Sequence, residues 1–177
     1  MKNFRSDYRF DDIELINFIN LSDREKSLIR RWRNCEDVRK WMYSDKLISR
    51  KEHSEFIKQL EKDSRNYYWL VRRNNIYLGV VSLQKVDFSH KNAYLGIYSN
   101  PGLSGAGGTL MESLKRIAFS EFKLHTLKIE SLSKNRRAIN FFSRSGFFRE
   151  GTLKEFVFKN GKWQDVIIMG IINGKRC

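Results

Sequence analysis

The sequence has 177 residues, enough to bury one sizeable core, and 41% of them are apolar. It contains no linker-like segment, internal repeat or apolar run long enough to span a bilayer, and its two cysteines form no metal-ligand motif, so we expect one domain over residues 1–177, no membrane span and no metal. The net charge of +14 favours an anionic small-molecule partner and argues against a polyamine acceptor.

The first sixty residues predict one strand and three helices. Residues 13–19 can form the strand. Ser22-Asp23-Arg24-Glu25 and Ser49-Arg50-Lys51-Glu52 are capping boxes, which predict the starts of two helices. Between them, we expect Asn34 to cap a short helix that includes Trp41.

The rest of the chain predicts a sheet with helical crossovers. Residues 67–73 and 76–86 are rich in aromatic and β-branched residues, and Asn74-Asn75 between them suits a hairpin turn because Asn tolerates left-handed backbone. The later predicted elements are a strand at 94–98, a helix from about 108, a strand at 126–130, a helix near Asn135, and a hairpin of strands 147–158 and 163–172 around Asn160-Gly161. The predicted fold class is α+β.

A glycine-rich turn, Gly105-Ala106-Gly107-Gly108, lies between the strand at 94–98 and an amphipathic helix. Glycines let the backbone turn without Cβ clashes, so that consecutive N–H groups can converge on an anion at the positive end of the helix. No Gly-Lys-Ser/Thr follows, which argues against a nucleoside triphosphate loop. The arrangement predicts a diphosphate-binding turn.

Two spaced motifs, Gly105-x-Gly107-x-x-Leu110 and Asn135-x-x-Ala138-x-x-Phe141, resemble those of the GNAT superfamily of acetyl-CoA-dependent N-acetyltransferases. The resemblance spans residues 94–148. It implies a single GNAT-like domain with a mostly antiparallel, splayed central sheet flanked by helices. It also implies acetyl-CoA as the co-substrate.

The same resemblance implies the cofactor contacts. The strand at 94–98 would splay from its parallel neighbour, which frees the backbone of Leu95 and Ile97 to bond the pantetheine arm, with Ile97 helping to polarise the thioester carbonyl. The implied cofactor residues are Leu95, Ile97, Leu103, Ser104, Gly105, Ala106, Gly107, Gly108, Thr109, Asn135, Arg137, Phe141 and Phe142.

Two positions depart from the family pattern. Gly102 stands where Arg or Gln is usual, and Phe142 stands where the family has the tyrosine thought to protonate the departing CoA thiolate. Phe142 cannot donate a proton, so the expected substitutes are Tyr98 or a water molecule, or direct transfer of the proton from the incoming amine.

For the general base, Glu130 at the end of a predicted strand is the first candidate, because a carboxylate there would face the cleft between the splayed strands. His53 is the second candidate, since its reference pKa is near neutral. It lies on an apolar helical face, and we expect it to contact the substrate rather than act as base.

A closer resemblance, over nearly the whole chain, is to the acetyltransferases of pseudaminic acid biosynthesis within this superfamily. The segments that carry it are Trp32-Arg33-Asn34, Trp41-Met42-Tyr43-Ser44, Lys51-Glu52-His53, Tyr77-Leu78-Gly79-Val80, residues 94–101 and Ile117-Ala118-Phe119. These enzymes acetylate the 4-amino group of a UDP-linked 4-amino-4,6-dideoxy sugar.

That resemblance implies an acceptor site. The positions that match the substrate side of the family are Arg33, His53, Lys85 and Tyr98. Gln84 lies at a further substrate-side position, where its residue type differs from that of the family member. On chemical grounds Arg33 and Lys85 offer cationic donors to a diphosphate, and Trp41, Tyr43 and Tyr98 offer flat surfaces to a uracil or sugar ring.

Two other functions stay open from the sequence. One is a protein N-terminal acetyltransferase of the ribosomal-protein type. The other is a non-catalytic acetyl-CoA or nucleic-acid binding module, although the basic residues are dispersed and match no recognised nucleic-acid motif. Charged residues interrupt the first twenty residues, so we expect no export signal and a cytoplasmic protein. A homodimer is left open.

Overall fold

The structure of the protein is a computed structural model that describes residues 4–174. Its strands are β1 (Tyr8–Phe10), β2 (Ile13–Asn17), β3 (Tyr67–Arg73), β4 (Ile76–Asp87), β5 (Asn92–Ser99), β6 (Thr126–Leu132), β7 (Phe148–Lys159) and β8 (Lys162–Ile172). Its α-helices are α1 (Asp23–Asn34), α2 (Glu36–Arg39), α3 (Arg50–Leu60), α4 (Gly107–Arg116) and α5 (Arg136–Arg144). None of the helices within 4–174 is long and apolar enough to cross a membrane.

The strands form one sheet in the order β1-β2-β3-β4-β5-β6-β8-β7. Neighbouring strands are antiparallel except β5 and β6, which are parallel, as a helical crossover between them requires. The predicted α+β class and mostly antiparallel sheet are thus confirmed.

Local capping signals determine where two helices begin. The Ser22 and Ser49 side chains accept from the backbone N–H of Glu25 and Glu52, and each glutamate accepts from its serine's backbone N–H in return. Each cap of this kind contributes about 1 kcal/mol to stability. Both predicted capping boxes are confirmed.

The prediction for Asn34 was wrong. Asn34 is the last residue of α1, and Cys35, in extended conformation, stands at the start of a helix of only four residues. Trp41 therefore lies in an irregular segment after α2 rather than on a helix. The reason is tertiary, because the Asn34 amide bonds to the backbone of Ile48 instead.

Two other element predictions were incomplete. The first strand ends at Asn17, and the chain continues as a 3-10 turn over Phe18–Asn20, where the Asn17 side chain accepts from the backbone N–H of Ile19. The short strand β1 was not predicted. It is three residues long and pairs with β2 at the sheet edge, so its local signal is weak.

The sheet has a hydrophobic layer on each face. On one face, α4 and its π-helical extension (Ile117–Glu121) bury Leu110, Leu114 and Ile117 completely. On the other, Ile29 and Trp32 of α1 and the buried side of α3 form a second cluster, against which Tyr98 packs. Side chains alternate along β5, so Leu95 faces the α4 layer and Tyr98 the α1–α3 layer.

Gly79 lets α4 approach the sheet closely. A Cβ at this position of β4 would lie 2.4 Å from the carbonyl oxygen of Tyr98 and 2.7 Å from Leu110 Cδ1. Any side chain there would push α4 or β5 away. The glycine thus determines how closely the helix and the two strands pack beside the cleft.

The strands β5 and β6 separate. Their register pairs Asn92 with Thr126, Ala93 with Leu127 and Tyr94 with Lys128, and beyond these pairs neither strand has a partner residue on the other within its described length. Each strand nevertheless continues for at least four more residues. The predicted splay is therefore present, and it begins at Tyr94.

Candidate active site

A cleft of about 1160 Å³ opens where β5 and β6 separate. It is lined by Tyr94–Ser99 of β5 and the two residues after this strand, by Ile129–Ser131 of β6, by the glycine turn, by α5 and by the segment after α2. The predicted site residues line this one cleft, except Ala106 and Thr109. Ala106 is buried under the turn, and the Thr109 carbonyl accepts from the Ser113 hydroxyl within α4.

The start of α4 has the features of an anion site. The residue before the helix is Ala106, and no described side chain caps the first turn, whose N–H groups have no helical partners. Gly105, with φ of +80°, makes the turn that brings Leu103 and Ser104 to the cleft wall. A phosphate there would meet free N–H groups and the positive end of the helix dipole.

Helix α5 holds the turn through an aromatic contact. Asn135 caps α5, because its side chain accepts from the backbone N–H of Ala138 at 3.2 Å. This places Phe141 against Gly107, where a Cβ would lie only 3.3 Å from the Phe141 ring. Asn135, Arg137 and Phe141 all line the cleft. The two spaced motifs of the sequence therefore meet in space.

Phe142 lies at the cleft but is only 4% exposed. Its ring packs edge-on against Phe141 at 5.5 Å and Phe147 at 6.1 Å. The position is built as part of the core, and it supplies no proton donor. The proton for a departing thiolate, which the family resemblance assigns to a tyrosine here, would have to come from elsewhere.

The β5 backbone is exposed to the cleft at the residues predicted from the family resemblance. Leu95 and Ile97 pair with Leu83 and Val81 of β4 on one side, but β6 has already diverged on the other. Peptide groups of β5 that point toward β6 beyond Tyr94 therefore face the cleft. They can bond an extended ligand in the manner of an added strand.

Glu130 and Tyr43 meet across the cleft. The Tyr43 hydroxyl donates to the Glu130 carboxylate at 2.5 Å, although the two residues are 87 positions apart. Burial, and then this hydrogen bond, raise the pKa of Tyr43, so its hydroxyl keeps its proton at neutral pH. The sequence proposed Tyr43 as a flat surface and Glu130 as a base; their contact was not predicted.

Arg33 and Tyr98 lie on the α1–α3 side of the cleft. Burial raises the pKa of Tyr98 and lowers the pKa of Arg33. The electrostatic interaction between the two groups partly offsets both shifts. Arg33 Nη1 is buried and has no hydrogen-bond partner within residues 4–174. A guanidinium nitrogen in this state is positioned for an acceptor that a ligand would bring.

His53 lies beside this group on α3 and is 7% exposed. Burial, and then the charges of Arg30 and Lys26, lower its pKa. His53 is therefore neutral at pH 7 and lines the cleft as an uncharged polar side chain.

A β-bulge places Gln84 and Lys85. The β4–β5 register shifts after Gln84, and Lys85 adopts a φ of +51°. Gln84 Nε2 donates to the Ser82 hydroxyl at 2.9 Å, and this pair occupies the space above Gly96. Lys85 Nζ lies 4.9 Å from the ring centre of Tyr94, a cation–π contact at the rim of the cleft.

The segment after α2 forms a further wall. Trp41 and Tyr43 are 38% and 41% exposed, respectively, and both line the cleft. Lys159, at the end of β7, donates to three backbone carbonyls of this neighbourhood, and sequence reasoning missed it. A lysine near a hairpin tip gives no local signal of such a role.

The charges of the cleft favour anions. Its lining includes the cations Arg33, Lys40, Lys85 and Arg137, against the carboxylates Asp37 and Glu130. Clefts with one dominant sign of charge concentrate ligands of the opposite sign.

The described residues hold no cluster of three or more His, Cys, Asp or Glu side chains suited to a metal. Cys35 is partly buried and does not line the cleft. Cys177 lies outside the described residues.

Among known protein families, a model described as an acetyltransferase (GNAT) domain matches residues 14–148. The chain is 35% identical over 135 residues to the acetyltransferase PseH of Campylobacter jejuni subsp. jejuni serotype O:23/36, an alignment that covers 76% of this chain and 84% of the relative. It is 31% identical over 100 residues to a spermidine N(1)-acetyltransferase of Vibrio cholerae, covering 55% of this chain and 58% of that one.

Solved structures of N-acetyltransferases have a similar fold. The crystal structure of Campylobacter jejuni N-acetyltransferase PseH superposes with a TM-score of 0.73 at 26% identity, covering 92% of this chain and 99% of that one, and its complex with acetyl coenzyme A gives the same values. The Vibrio cholerae spermidine N-acetyltransferase in complex with CoA and spermine has a TM-score of 0.84 at 23% identity, covering 94% and 99%. At that identity the likeness concerns the fold alone.

Proposed function

The chain belongs to the acetyltransferase (GNAT) family and is an N-acetyltransferase, and we propose that it acetylates, directly from acetyl-CoA, the 4-amino group of a UDP-linked 4-amino-4,6-dideoxy sugar. Membership of the family confirms the resemblance seen in the two spaced motifs. The acceptor is our proposal, supported by the cleft chemistry and by similarity to PseH.

One observation carries the choice of acceptor. Arg33 Nη1 is buried at the cleft wall without a hydrogen-bond partner in the described chain, and Lys85 stands at the rim. A buried unpaired guanidinium nitrogen is costly, and a diphosphate would supply the missing acceptor oxygens. A polyamine would instead bring further positive charge to cations already present.

The cofactor would enter between β5 and β6. The pyrophosphate would bind at the glycine turn and the first turn of α4, and the pantetheine arm would bond to β5 at Leu95 and Ile97. A backbone group at Ile97 would polarise the thioester carbonyl as the oxyanion develops.

Glu130 would take the proton from the amine, which must be neutral to attack the thioester carbonyl. Tyr43 keeps its own proton and would orient the Glu130 carboxylate through their hydrogen bond. The C–N bond forms, the C–S bond breaks, and the CoA thiolate takes up one proton. That proton would come from protonated Glu130, or from Tyr98 in place of the tyrosine that Phe142 replaces; in the second case Glu130 would release its proton to solvent and Tyr98 would regain one from solvent.

The test is acceptor-dependent release of CoA thiol by the purified protein, comparing the UDP-4-amino-4,6-dideoxy sugar with basic N-terminal peptides and spermidine. Release confined to the nucleotide sugar supports the proposal. Release with peptides alone would move the protein to the N-terminal acetyltransferases, and release with spermidine alone to the polyamine enzymes. Acetyl-CoA binding without any release of thiol would indicate a non-catalytic relative. This outcome is included because Phe142 supplies no proton donor.

A further inference from the structure

Lys159 carries a buried ammonium whose bonding partners all lie far away in sequence. The residue is 6% exposed, and its Nζ lies 2.9 Å from a carboxylate oxygen of Asp45. The same Nζ donates to the carbonyls of Met42 at 2.7 Å, Lys40 at 2.8 Å and Arg39 at 3.3 Å. The carbonyl partners are 117 to 120 positions away along the chain.

These contacts all lie in residues 39–45, the segment that carries Trp41 and Tyr43. After Arg39 this segment forms no helix or strand, and its carbonyls lack the regular partners of those elements; the Arg39 carbonyl accepts from the Met42 N–H at 3.0 Å. Lys159 supplies donors to three of them, and Arg39 Nη1 donates to the carbonyl of Asp45 at 2.7 Å. The segment is thus fastened to the end of β7 in addition to these bonds within itself.

The fastening has a direct effect on the cleft. Trp41 and Tyr43 lie within four residues of Asp45, and the Tyr43 hydroxyl reaches Glu130. A buried charge tolerates little displacement of its partners, because loss of these contacts would leave the ammonium buried without compensation. Tyr43 thus lies between Met42 and Asp45, two partners of Lys159, and is itself bonded to Glu130.

We propose that Lys159 is a positioning residue that holds the acceptor wall of the cleft, the segment 39–45, against the β7–β8 hairpin. It touches no reacting atom; it acts through Tyr43 and Trp41. The inference rests on the proposed function only in placing the acceptor at this wall. The cofactor side, formed by the glycine turn and α5, does not depend on it.

The experiment compares Lys159→Met, which keeps the length of the side chain and removes its charge, with Lys162→Met. Lys162 is a suitable control because it pairs with Lys159 across the hairpin and is exposed. We expect faster amide hydrogen exchange in residues 39–46 of the Lys159 variant, by at least tenfold, and no change in the control. Acetyl-CoA affinity should stay within twofold in both.

With whichever acceptor amine the thiol-release assay identifies, Lys159→Met should raise the acceptor KM by tenfold or more and lower kcat less. Asp45→Asn, which keeps the ammonium and three of its partners, should give a smaller change in the same direction and serves if the methionine variant does not fold. Unchanged exchange in 39–46 would overturn the inference whatever the acceptor is. A loss of acetyl-CoA affinity as large as the rise in acceptor KM would also overturn the inference, since it would indicate a general structural role for Lys159.

Discussion

Asn34 and Ile48 are joined by a reciprocal pair of hydrogen bonds: the Asn34 amide donates to the Ile48 carbonyl and accepts from the Ile48 backbone N–H, both at 2.9 Å. The pair ties the end of α1 to the residue just before the Ser49 cap of α3. Arg30 Nη1 adds a bond to the same carbonyl at 3.2 Å. The Asn34 amide, with Arg30 beside it, thus joins the two ends of the span between the helices.

We expect Asn34→Ala to lower the free energy of unfolding by about 1–3 kcal/mol, because it removes both bonds and leaves backbone groups of Ile48 less satisfied. Denaturant titration measures the change. Asn34→Asp retains the acceptor and loses the donor, so an intermediate effect is expected. If Asn34→Ala were as stable as the parent, the pair would not be holding α1 and α3 together.

Glu130→Gln should lower kcat by about 100- to 10,000-fold, the range typical of losing a general base. Acetyl-CoA affinity should remain unchanged, because the change leaves the glycine turn and β5 intact. Steady-state kinetics and calorimetry check the two parts. Glu55→Gln on the exposed side of α3 is the control. Retention of full kcat in the Glu130 variant would exclude this residue as the base.

Tyr98→Phe tests the source of the proton for the leaving thiolate. If Tyr98 serves that step, the variant should lower kcat by about 100-fold or more while leaving acceptor KM within a few-fold. If Glu130 returns the proton, kcat should be nearly unchanged. A rise in KM alone would place Tyr98 in acceptor binding only.

Arg33→Lys should raise KM for a diphosphate-bearing acceptor by about tenfold or more, since lysine keeps the charge but loses the planar fork that matches phosphate oxygens. An amine acceptor without phosphate should be affected much less. Arg31→Lys, exposed on the same helix, is the matched control. Equal effects on both kinds of acceptor would contradict a phosphate contact at Arg33.

His53 should make stability depend on pH. Its pKa in the folded protein is lowered from the ordinary value of 6.5, mainly by burial. Between the folded pKa and 6.5, the unfolded chain therefore binds more protons than the folded protein. Its contribution is fully present above about pH 6.5 and is lost as the pH falls toward the folded pKa. Denaturation midpoints between pH 4.5 and 7.5 should show a slope that His53→Gln reduces, within the approximate range where His titrates. An unchanged slope would mean that His53 charges freely in the fold.

The elements that sequence reasoning predicted correctly depend on local chemistry. The capping boxes at Ser22 and Ser49 act within four residues, and the left-handed Asn74 and Asn75 make a turn by themselves. Asn34 was misread because its side chain serves Ile48, fourteen positions away, instead of the helix beside it. A cap-forming residue type does not reveal which backbone it bonds.

The candidate site also combines local motifs, which a sequence reveals, with contacts between distant residues, which it does not. The glycine turn and the Asn135 helix were found because each is a short motif, and the contact of Gly107 with Phe141 joins them. The bond between Tyr43 and Glu130 and the contacts of Lys159 connect residues 87 or more positions apart. One sequence carries no signal of such pairs, since each partner alone is an ordinary polar residue.

The separation of β5 from β6 means that the two substrates would be recognised by different parts of the polypeptide. On the cofactor side the bonding groups would be peptide units, which every residue type possesses, so substitutions at Leu95 or Ile97 that preserve the strand would leave them in place. On the acceptor side they would be individual side chains such as Arg33, each replaceable by one mutation. A scaffold of this kind can change its acceptor while its donor stays the same.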